Sequence, residues 1–243
     1  MLPLVGAAVA FNDAKLFLIR HGRTEMNEHL AQPGNQWGAA NFADPGYYDT
    51  ELTSVGQQQA RELHEQFRKG QFPLVDTLIS SPLRRALHTA ELVFTGYIAT
   101  GIAQRIVTPL AAERLFLSSD VGSPIAELRG RFDPAWSFDS HFEPWWYQGD
   151  PGAAEWRPPG TYCAPGEPDL AFSERMQLLV AFLQGVEPRP AAGKEGSIAL
   201  VCHAEVIYAL TGKYVSNCAC IEMHTTDLDA GRVTRYHIVE HKS

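Results

Sequence analysis

The chain has 243 residues and a formal net charge of −8, from 20 Lys and Arg against 28 Asp and Glu. A hydrophobic fraction of 45% excludes a disordered chain, and 20 glycines and 16 prolines exclude a collagen-like sequence. The acidic balance argues against a nucleic-acid-binding protein, because phosphate backbones are bound by clustered Lys and Arg. A small anionic substrate stays possible, since it responds to the local field of a pocket.

The termini and the cysteines suggest a cytoplasmic protein. No apolar run reaches the roughly 20 residues that span a bilayer, and residues 1–14 are predicted to be a loose tail, not a cleaved signal, because they lack a positively charged start. Four cysteines are too few for a disulfide scaffold in a chain of this length. The Cys218-x-Cys220 pair has no second pair at zinc spacing, so no metal site is expected there.

Buried strands alternate with amphipathic helices along the chain. This pattern predicts one α/β domain over 1–243, a three-layer sandwich whose central, mostly parallel sheet is flanked by helices. Thr53 is expected to cap the first long helix and Gly70 to end it. The predicted strands are 16–19, 74–80, 105–108 and 197–202, the predicted helices are 53–69, 83–94, 167–184 and 205–210, and strands 221–228 and 233–240 are predicted to form an edge hairpin.

Residues 114–166 differ from this pattern, because Pro, Gly and aromatic residues replace the periodicity. Nine of the chain's 25 aromatic residues lie between 132 and 162. We interpret the stretch as an aromatic-rich insertion with two open alternatives. It covers one edge of the sheet, or it forms a lid that excludes water from a site and selects the leaving group.

Two histidines follow buried strands directly. Arg20, His21 and Gly22 come after the first strand, and His203 comes after Ser197–Cys202. Ligands of open α/β sheets bind at the carboxyl ends of the strands. One such histidine would more often be a structural residue, but two, one of them flanked by Arg, favour a shared pocket.

A third segment follows the second strand and opens a helix. It reads Ser81-Pro82-Leu83-Arg84-Arg85-Ala86. A helix N-terminus favours anions through its free N–H groups and dipole, and an Arg guanidinium matches phosphate oxygens. The three segments together predict a phosphate pocket.

These motifs resemble the histidine phosphatase superfamily, the phosphoglycerate mutase-like group. The resemblance is carried by Arg20-His21-Gly22, Asn27, Leu52-Thr53-x-x-Gly56, Ser81-Pro82-x-x-Arg85-Ala86-x-x-Thr89-Ala90 and the late His203, in the order and spacing of the family. It implies the same α/β fold and a metal-independent enzyme without a cofactor.

The resemblance also implies roles for individual residues. His21 matches the nucleophile that forms a phosphohistidine, and Arg20, Arg85 and His203 match the rest of the phosphate pocket. Asn27 matches a residue that helps to bind the transferring group. Glu113 falls where the family places its proton donor, with Asp120 as the next candidate.

Phosphoryl transfer requires a particular protonation state of each of these residues. Cations around His21 should lower its pKa and leave a neutral nucleophile, and burial should raise the pKa of Glu113 so that it can donate a proton. A protonated His203 is expected to add positive charge to that of Arg20 and Arg85. Arg23 is a further candidate cation at the pocket edge. Glu205 either caps the last helix or points into the pocket, and we favour the cap.

The sequence therefore predicts a phosphomonoester hydrolase that acts on a small phosphorylated metabolite and binds neither nucleic acid nor membrane. Two alternatives stay open, a phosphoglycerate mutase-type phosphotransferase and a catalytically weak binding or regulatory protein on the same fold. The natural substrate and the oligomeric state are not predicted.

Overall fold

The computed structural model describes residues 13–37, 39, 42–97, 102–138, 144–148, 166–190 and 194–230. Its strands form one six-stranded sheet in the order β4-β3-β2-β5-β1-β6. The strands are β1 (Lys15–Arg20), β2 (Thr77–Ser80), β3 (Gln104–Val107), β4 (Ser137–Phe138), β5 (Ser197–Cys202) and β6 (Cys220–His224). Only β6 runs antiparallel to its neighbour, so the predicted mostly parallel sheet is confirmed.

The α-helices are α1 (Glu25–Leu30), α2 (Ser54–Arg68), α3 (Arg84–Val93), α4 (Ile125–Arg131), α5 (Asp169–Gly185) and α6 (Ala204–Thr211). Short 3-10 turns cover Pro109–Ala111, Ser118–Asp120 and Thr225–Ala230. The predicted cap of α2 is confirmed, since the Thr53 hydroxyl accepts the Gly56 N–H and Gly70 has φ +72° just beyond the helix. None of the helices in these ranges combines the length and the apolarity that a bilayer span requires.

The sheet is buried on both faces, because β1 alternates its side chains between two apolar clusters. Phe17 and Ile19 pack with α2 and α3, whereas Leu16 and Leu18 pack with α5 and α6. All four side chains are fully buried. This two-sided burial explains the continuous apolar run that predicts β1.

Both ends of the chain depart from the predictions. Ala14, in the predicted tail, is buried, and its backbone pairs with Thr225. The predicted strand 221–228 is too long at its end: β6 ends at His224, whose N–H donates to the Asp227 carboxylate, and a 3-10 turn follows. Since β6 pairs with β1, it forms the sheet edge, while the predicted partner strand 233–240 lies outside the described residues.

Most of the described aromatic residues of the insertion pack into the protein core, whereas Phe116 lines the cavity described below. β4 extends the sheet beside β3, and Phe132, Trp136, Phe138, Trp145 and Trp146 are buried with α2 and α3 in one cluster. These residues support the interpretation as a cover of the sheet edge. Phe142, Trp156 and Tyr162 lie outside the described residues, so the lid remains a prediction for that part.

Candidate active site

The two histidines meet at the carboxyl edge of the sheet. β1 and β5 are paired so that Arg20 lies opposite Cys202, which places the next residues, His21 and His203, side by side. Their ring centroids lie 5.1 Å apart, and both rings are buried. The predicted convergence of the two strand ends is therefore present.

A cavity of about 170 Å³ opens beside His21. Five of the seven predicted site residues line it, namely Arg20, His21, Asn27, Arg85 and Glu113. His203 is fully buried behind the His21 ring and is not among the lining residues. Arg23 does not line the cavity either.

The position of Arg23 corrects the prediction of an extra cation at the pocket edge. Its backbone is fixed against α2, because its N–H donates to Gln59 and its carbonyl accepts from the Thr53 N–H. Its guanidinium lies on the surface, 3.8 Å from the Glu28 carboxylate.

The His21 imidazole is arranged as a neutral nucleophile. Its Nδ1 lies 2.8 Å from the Gly22 carbonyl oxygen, and a carbonyl can only accept, so Nδ1 carries the proton and Nε2 keeps its lone pair. Burial, followed by the charges of Arg85 and Arg20, holds the pKa of His21 well below its usual value. The predicted direction of this shift is confirmed, and its cause is burial more than charge.

The direction of the His203 pKa shift is opposite to the one that the predicted protonation requires. Burial, with contributions from Arg85, His21 and Arg20, holds the pKa of His203 well below its usual value, so the ring is neutral. Its Nε2 lies 2.7 Å from the Ser81 hydroxyl, and its Nδ1 is buried without a hydrogen-bond partner among the described residues. His203 therefore offers a hydrogen-bonding imidazole, and the positive charge of the site comes from the arginines.

Arg20 and Arg85 supply that charge in different ways. Arg20 donates through Nη1 to the Val215 carbonyl at 2.7 Å, and its buried Nε has no hydrogen-bond partner within the described part of the chain. Arg85 is buried and donates to the Ser119 carbonyl and to Asp120, the latter at 2.8 Å. Arg85 is thus rigidly placed by its anchors.

Asn27 lies in the first turn of α1, at the wall of the cavity. The Thr24 hydroxyl accepts the Asn27 N–H, and the Asn27 side-chain oxygen accepts the Thr24 N–H, which forms a reciprocal capping box. The same oxygen accepts from Asn217 at 3.2 Å. Because its oxygen is used inside the protein, Asn27 presents its amide nitrogen as the donor for a ligand.

Glu113 has the raised pKa that a proton donor needs. Burial and the negative charge of Asp120 raise the pKa of Glu113 to about 7, against the opposing effects of Arg85 and the Arg114 N–H. Asp120 is a weaker candidate, although burial raises its pKa as well. Its carboxylate is ion-paired with Arg85 at 2.8 Å, which favours the ionised form, and it also accepts from the Phe116 and Leu117 N–H groups.

Glu113 also caps α6, the role that we favoured for Glu205. Its carboxylate accepts the Ala204 N–H at 3.1 Å and the Glu205 N–H at 3.3 Å. The Glu205 carboxylate instead accepts from the Tyr214 hydroxyl at 2.8 Å and lines the cavity. Glu205 therefore stands in the first turn of α6, where its charge suits the helix dipole, but it makes no cap bond there.

An ion pair between partly buried Arg175 and buried Glu167 supports the Glu113 loop, and the sequence analysis does not predict it. Arg175 of α5 donates to the carbonyls of Leu110 and Ala112 at 2.9 and 2.8 Å, and to both carboxylate oxygens of Glu167. These bonds fix the backbone next to Glu113. Neither residue stands in a recognisable motif, although an arginine on the apolar side of a predicted helix is a signal that could have been used.

Two glycines permit the close backbone contact beneath the nucleophile. A Cβ on Gly22 would lie 2.6 Å from the Gly56 carbonyl oxygen, and one on Gly56 would lie 2.1 Å from the Arg23 carbonyl oxygen. The absence of a side chain at Gly22 thus allows the Gly56 backbone to approach closely.

Gly56→Ala is expected to lower the free energy of unfolding by about 1–3 kcal/mol, because the added methyl group forces a backbone shift. The matched control is Gly130→Ala in α4, where an added Cβ would meet nothing within 4 Å among the described residues. That variant should be unchanged or up to about 1 kcal/mol more stable. Urea unfolding measures both, and equal stability of the two variants would contradict the contact.

The described residues contain no group of three or more His, Cys, Asp or Glu side chains that could hold a metal ion. Among the described residues, the cations that line this cavity are Arg20, Arg85 and Arg114.

Comparisons with known proteins find a family profile, curated relatives and solved structures that are similar to this chain. The sequence profile of the histidine phosphatase superfamily (branch 1) matches residues 16–105. This range contains both arginine motifs and His21. The match covers 90 of the 243 residues, and this part of the chain is similar to the histidine phosphatase superfamily.

Curated relatives of this chain carry phosphatase names. Adenosylcobalamin/alpha-ribazole phosphatase of Salmonella typhimurium is 38% identical over 82 residues, which is 34% of this chain and 33% of that protein. The match thus spans about a third of the length of that relative.

Among solved structures, a candidate alpha-ribazole-5'-P phosphatase from Escherichia coli is 23% identical, with a TM-score of 0.51 over 88% of this chain and 91% of that one. This likeness shows the shared fold. A mycobacterial glucosyl-3-phosphoglycerate phosphatase is 25% identical over 86% of this chain and 89% of that one, with a TM-score of 0.48.

Proposed function

We propose that this protein hydrolyses small phosphomonoesters through a phosphohistidine on His21. The observation that carries the proposal is the arrangement around this ring. Its Nδ1 is fixed by the Gly22 carbonyl, two arginines flank it, and a carboxyl group with a pKa of about 7 lines the same cavity.

In the first step, His21 Nε2 attacks phosphorus and the bond from phosphorus to the ester oxygen breaks. Arg20 and Arg85 stabilise the negative charge on the phosphoryl oxygens, which is the main task of a protein in phosphoryl transfer. Protonated Glu113 donates its proton to the departing oxygen, so the alcohol leaves as a neutral molecule.

In the second step, the Glu113 carboxylate takes a proton from water, and the resulting hydroxyl attacks phosphorus. The bond between phosphorus and Nε2 breaks, His21 regains its lone pair, and inorganic phosphate is released. Glu113 is protonated again, so each cycle restores both residues.

The distribution of charge around the cavity favours a phosphatase over a mutase. A mutase must bind a second anionic group of its substrate, and Arg114 is the one cation among the described residues that lines the cavity besides Arg20 and Arg85. Glu205 adds a negative charge to the same wall. A catalytically weak binding protein is disfavoured as well, because a binding site gains nothing from the raised pKa of Glu113.

We also propose that the natural substrate is a small phosphorylated metabolite. The alpha-ribazole phosphatase name of the Salmonella relative supports a small phosphorylated metabolite. A cytoplasmic location is supported by Cys202, Cys218 and Cys220, which are buried free thiols.

The proposal is tested by incubating the purified protein with 4-nitrophenyl phosphate between pH 5 and 8, with and without EDTA. We expect release of inorganic phosphate at equal rates in both series, because the arginines supply the charge. No release at any pH would overturn the proposal. Isomerisation of 3-phosphoglycerate that depends on a bisphosphorylated primer would establish the mutase in its place.

A further inference from the structure

An aromatic wall stands at the cavity on which phosphate chemistry is proposed. Trp37 and Phe116 line the cavity together with Leu30 and Leu117. The Trp37 and Phe116 rings lie 5.7 Å apart at 40°. The cavity thus has a charged part around His21 and an apolar, largely aromatic part.

Trp37 is unusual because it is both exposed and held in place. Its side chain is 52% exposed, which is costly for an indole in water. The Phe42 ring packs against it edge-to-face with the ring centroids 5.3 Å apart, and the Phe116 ring contacts it as well. Exposed surface on a supported ring is the property of a stacking platform.

Arg114 lies next to this wall and contacts the face of one of its rings. The Arg114 guanidinium lies 4.6 Å from the centre of the Phe116 ring, within the range of a cation–π contact. Arg114 also donates to the Glu167 carbonyl and pairs with Asp169, so its charge is used within the protein. The wall therefore offers ring faces more than free charge to a ligand.

From this geometry we infer that the leaving group of the substrate carries a planar aromatic ring, which stacks on Trp37 while the phosphate lies at His21. The inference rests on the proposed hydrolase function and names the class of ester within it. A saturated group of equal size would fill the same space without ring-to-ring contact, so planarity is the property to test.

The experiment compares benzyl phosphate with cyclohexylmethyl phosphate, whose alcohols have similar size and similar leaving ability. We expect kcat/KM for benzyl phosphate to be about five- to tenfold higher, as for one aromatic stacking contact. Trp37→Leu should reduce this ratio below about twofold by raising KM for benzyl phosphate, and Trp37→Phe should retain most of it. Leu178→Ala, which removes a 60% exposed side chain that does not line the cavity, is the control and should leave the ratio unchanged.

Inhibition by inorganic phosphate separates this subsite from the phosphate pocket. The inhibition constant should change by less than about twofold in Trp37→Leu, because Arg20, Arg85 and His21 are untouched. The inference is overturned if kcat/KM of the wild type is about equal for benzyl and cyclohexylmethyl phosphate, or if the preference for benzyl phosphate persists in Trp37→Leu. In either case the hydrolase function stands. If neither ester is cleaved and no phosphohistidine forms, the proposed function fails and the inference fails with it.

Discussion

Replacement of His21 by alanine is expected to lower kcat for every phosphomonoester by about 10⁴-fold or more. The imidazole is the group that forms the bond to phosphorus, and loss of a nucleophile removes the covalent route altogether. The remaining arginines still bind phosphate, so inhibition by inorganic phosphate should persist. Steady-state phosphate release and phosphate inhibition measure the two effects.

The matched control is His88→Ala, which removes a half-buried histidine on α3 that does not line the cavity. Its activity should stay within about twofold of the wild type. Both variants should keep a cooperative thermal transition, since His21 contributes one side-chain hydrogen bond, worth about 1 kcal/mol. If folded His21→Ala keeps more than a hundredth of the activity, His21 is not the nucleophile.

The second large effect is expected for Glu113→Gln. An amide cannot donate a proton to the departing oxygen, so kcat for benzyl phosphate should fall by about 10²- to 10⁴-fold. Hydrolysis of 4-nitrophenyl phosphate should fall much less, because its leaving group scarcely needs a proton. Glutamine keeps the shape of the side chain, so the comparison of the two substrates reports proton transfer.

Asp120→Asn tests the other buried carboxyl group. Asp120 anchors Arg85, so its loss should slow both substrates by a similar factor through weaker stabilisation of the phosphoryl group. A strong dependence on the leaving group in Asp120→Asn, with equal slowing in Glu113→Gln, would move the proton donor to Asp120.

The pKa of Glu113 also predicts the pH dependence of the wild type. The donor is protonated below about pH 7 and loses its proton above it, so kcat for benzyl phosphate should decline as the pH rises through 7. The profile for 4-nitrophenyl phosphate should be flatter. Since the pKa is raised above its unfolded value, the contribution of Glu113 to stability is full below about pH 4.5 and is lost as the pH rises through about 7. Glu113→Gln should lack this decline.

The sequence predicts the sheet and the position of His21 and His203 because both depend on strong local signals. A run of apolar residues buried on two faces marks β1 and β5, and the residue after each strand lies at the carboxyl edge whatever the details of packing are. The helix ends at Thr53 and Gly70 are predicted for the same local reason.

The charge states and contacts depend on tertiary packing, and here the sequence was insufficient. Burial of His203 behind His21 makes it neutral, and no pattern in the chain reports the depth of a side chain. Arg23 is turned outward because the backbone on either side of it is bonded to α2, which is distant in sequence. Arg175 reaches the Glu113 loop from a helix more than 60 residues away, so its role is visible only in three dimensions.

The claim that phosphate passes through His21 is tested most directly by rapid quenching. Mixing the enzyme with a ³²P-labelled phosphomonoester and stopping the reaction in alkali should trap a phosphoryl group that is stable to base and labile to acid. Peptide mapping should place it on the peptide that contains His21, with none formed in His21→Ala. Turnover without any trapped phosphohistidine, or the label on His203, would contradict the account.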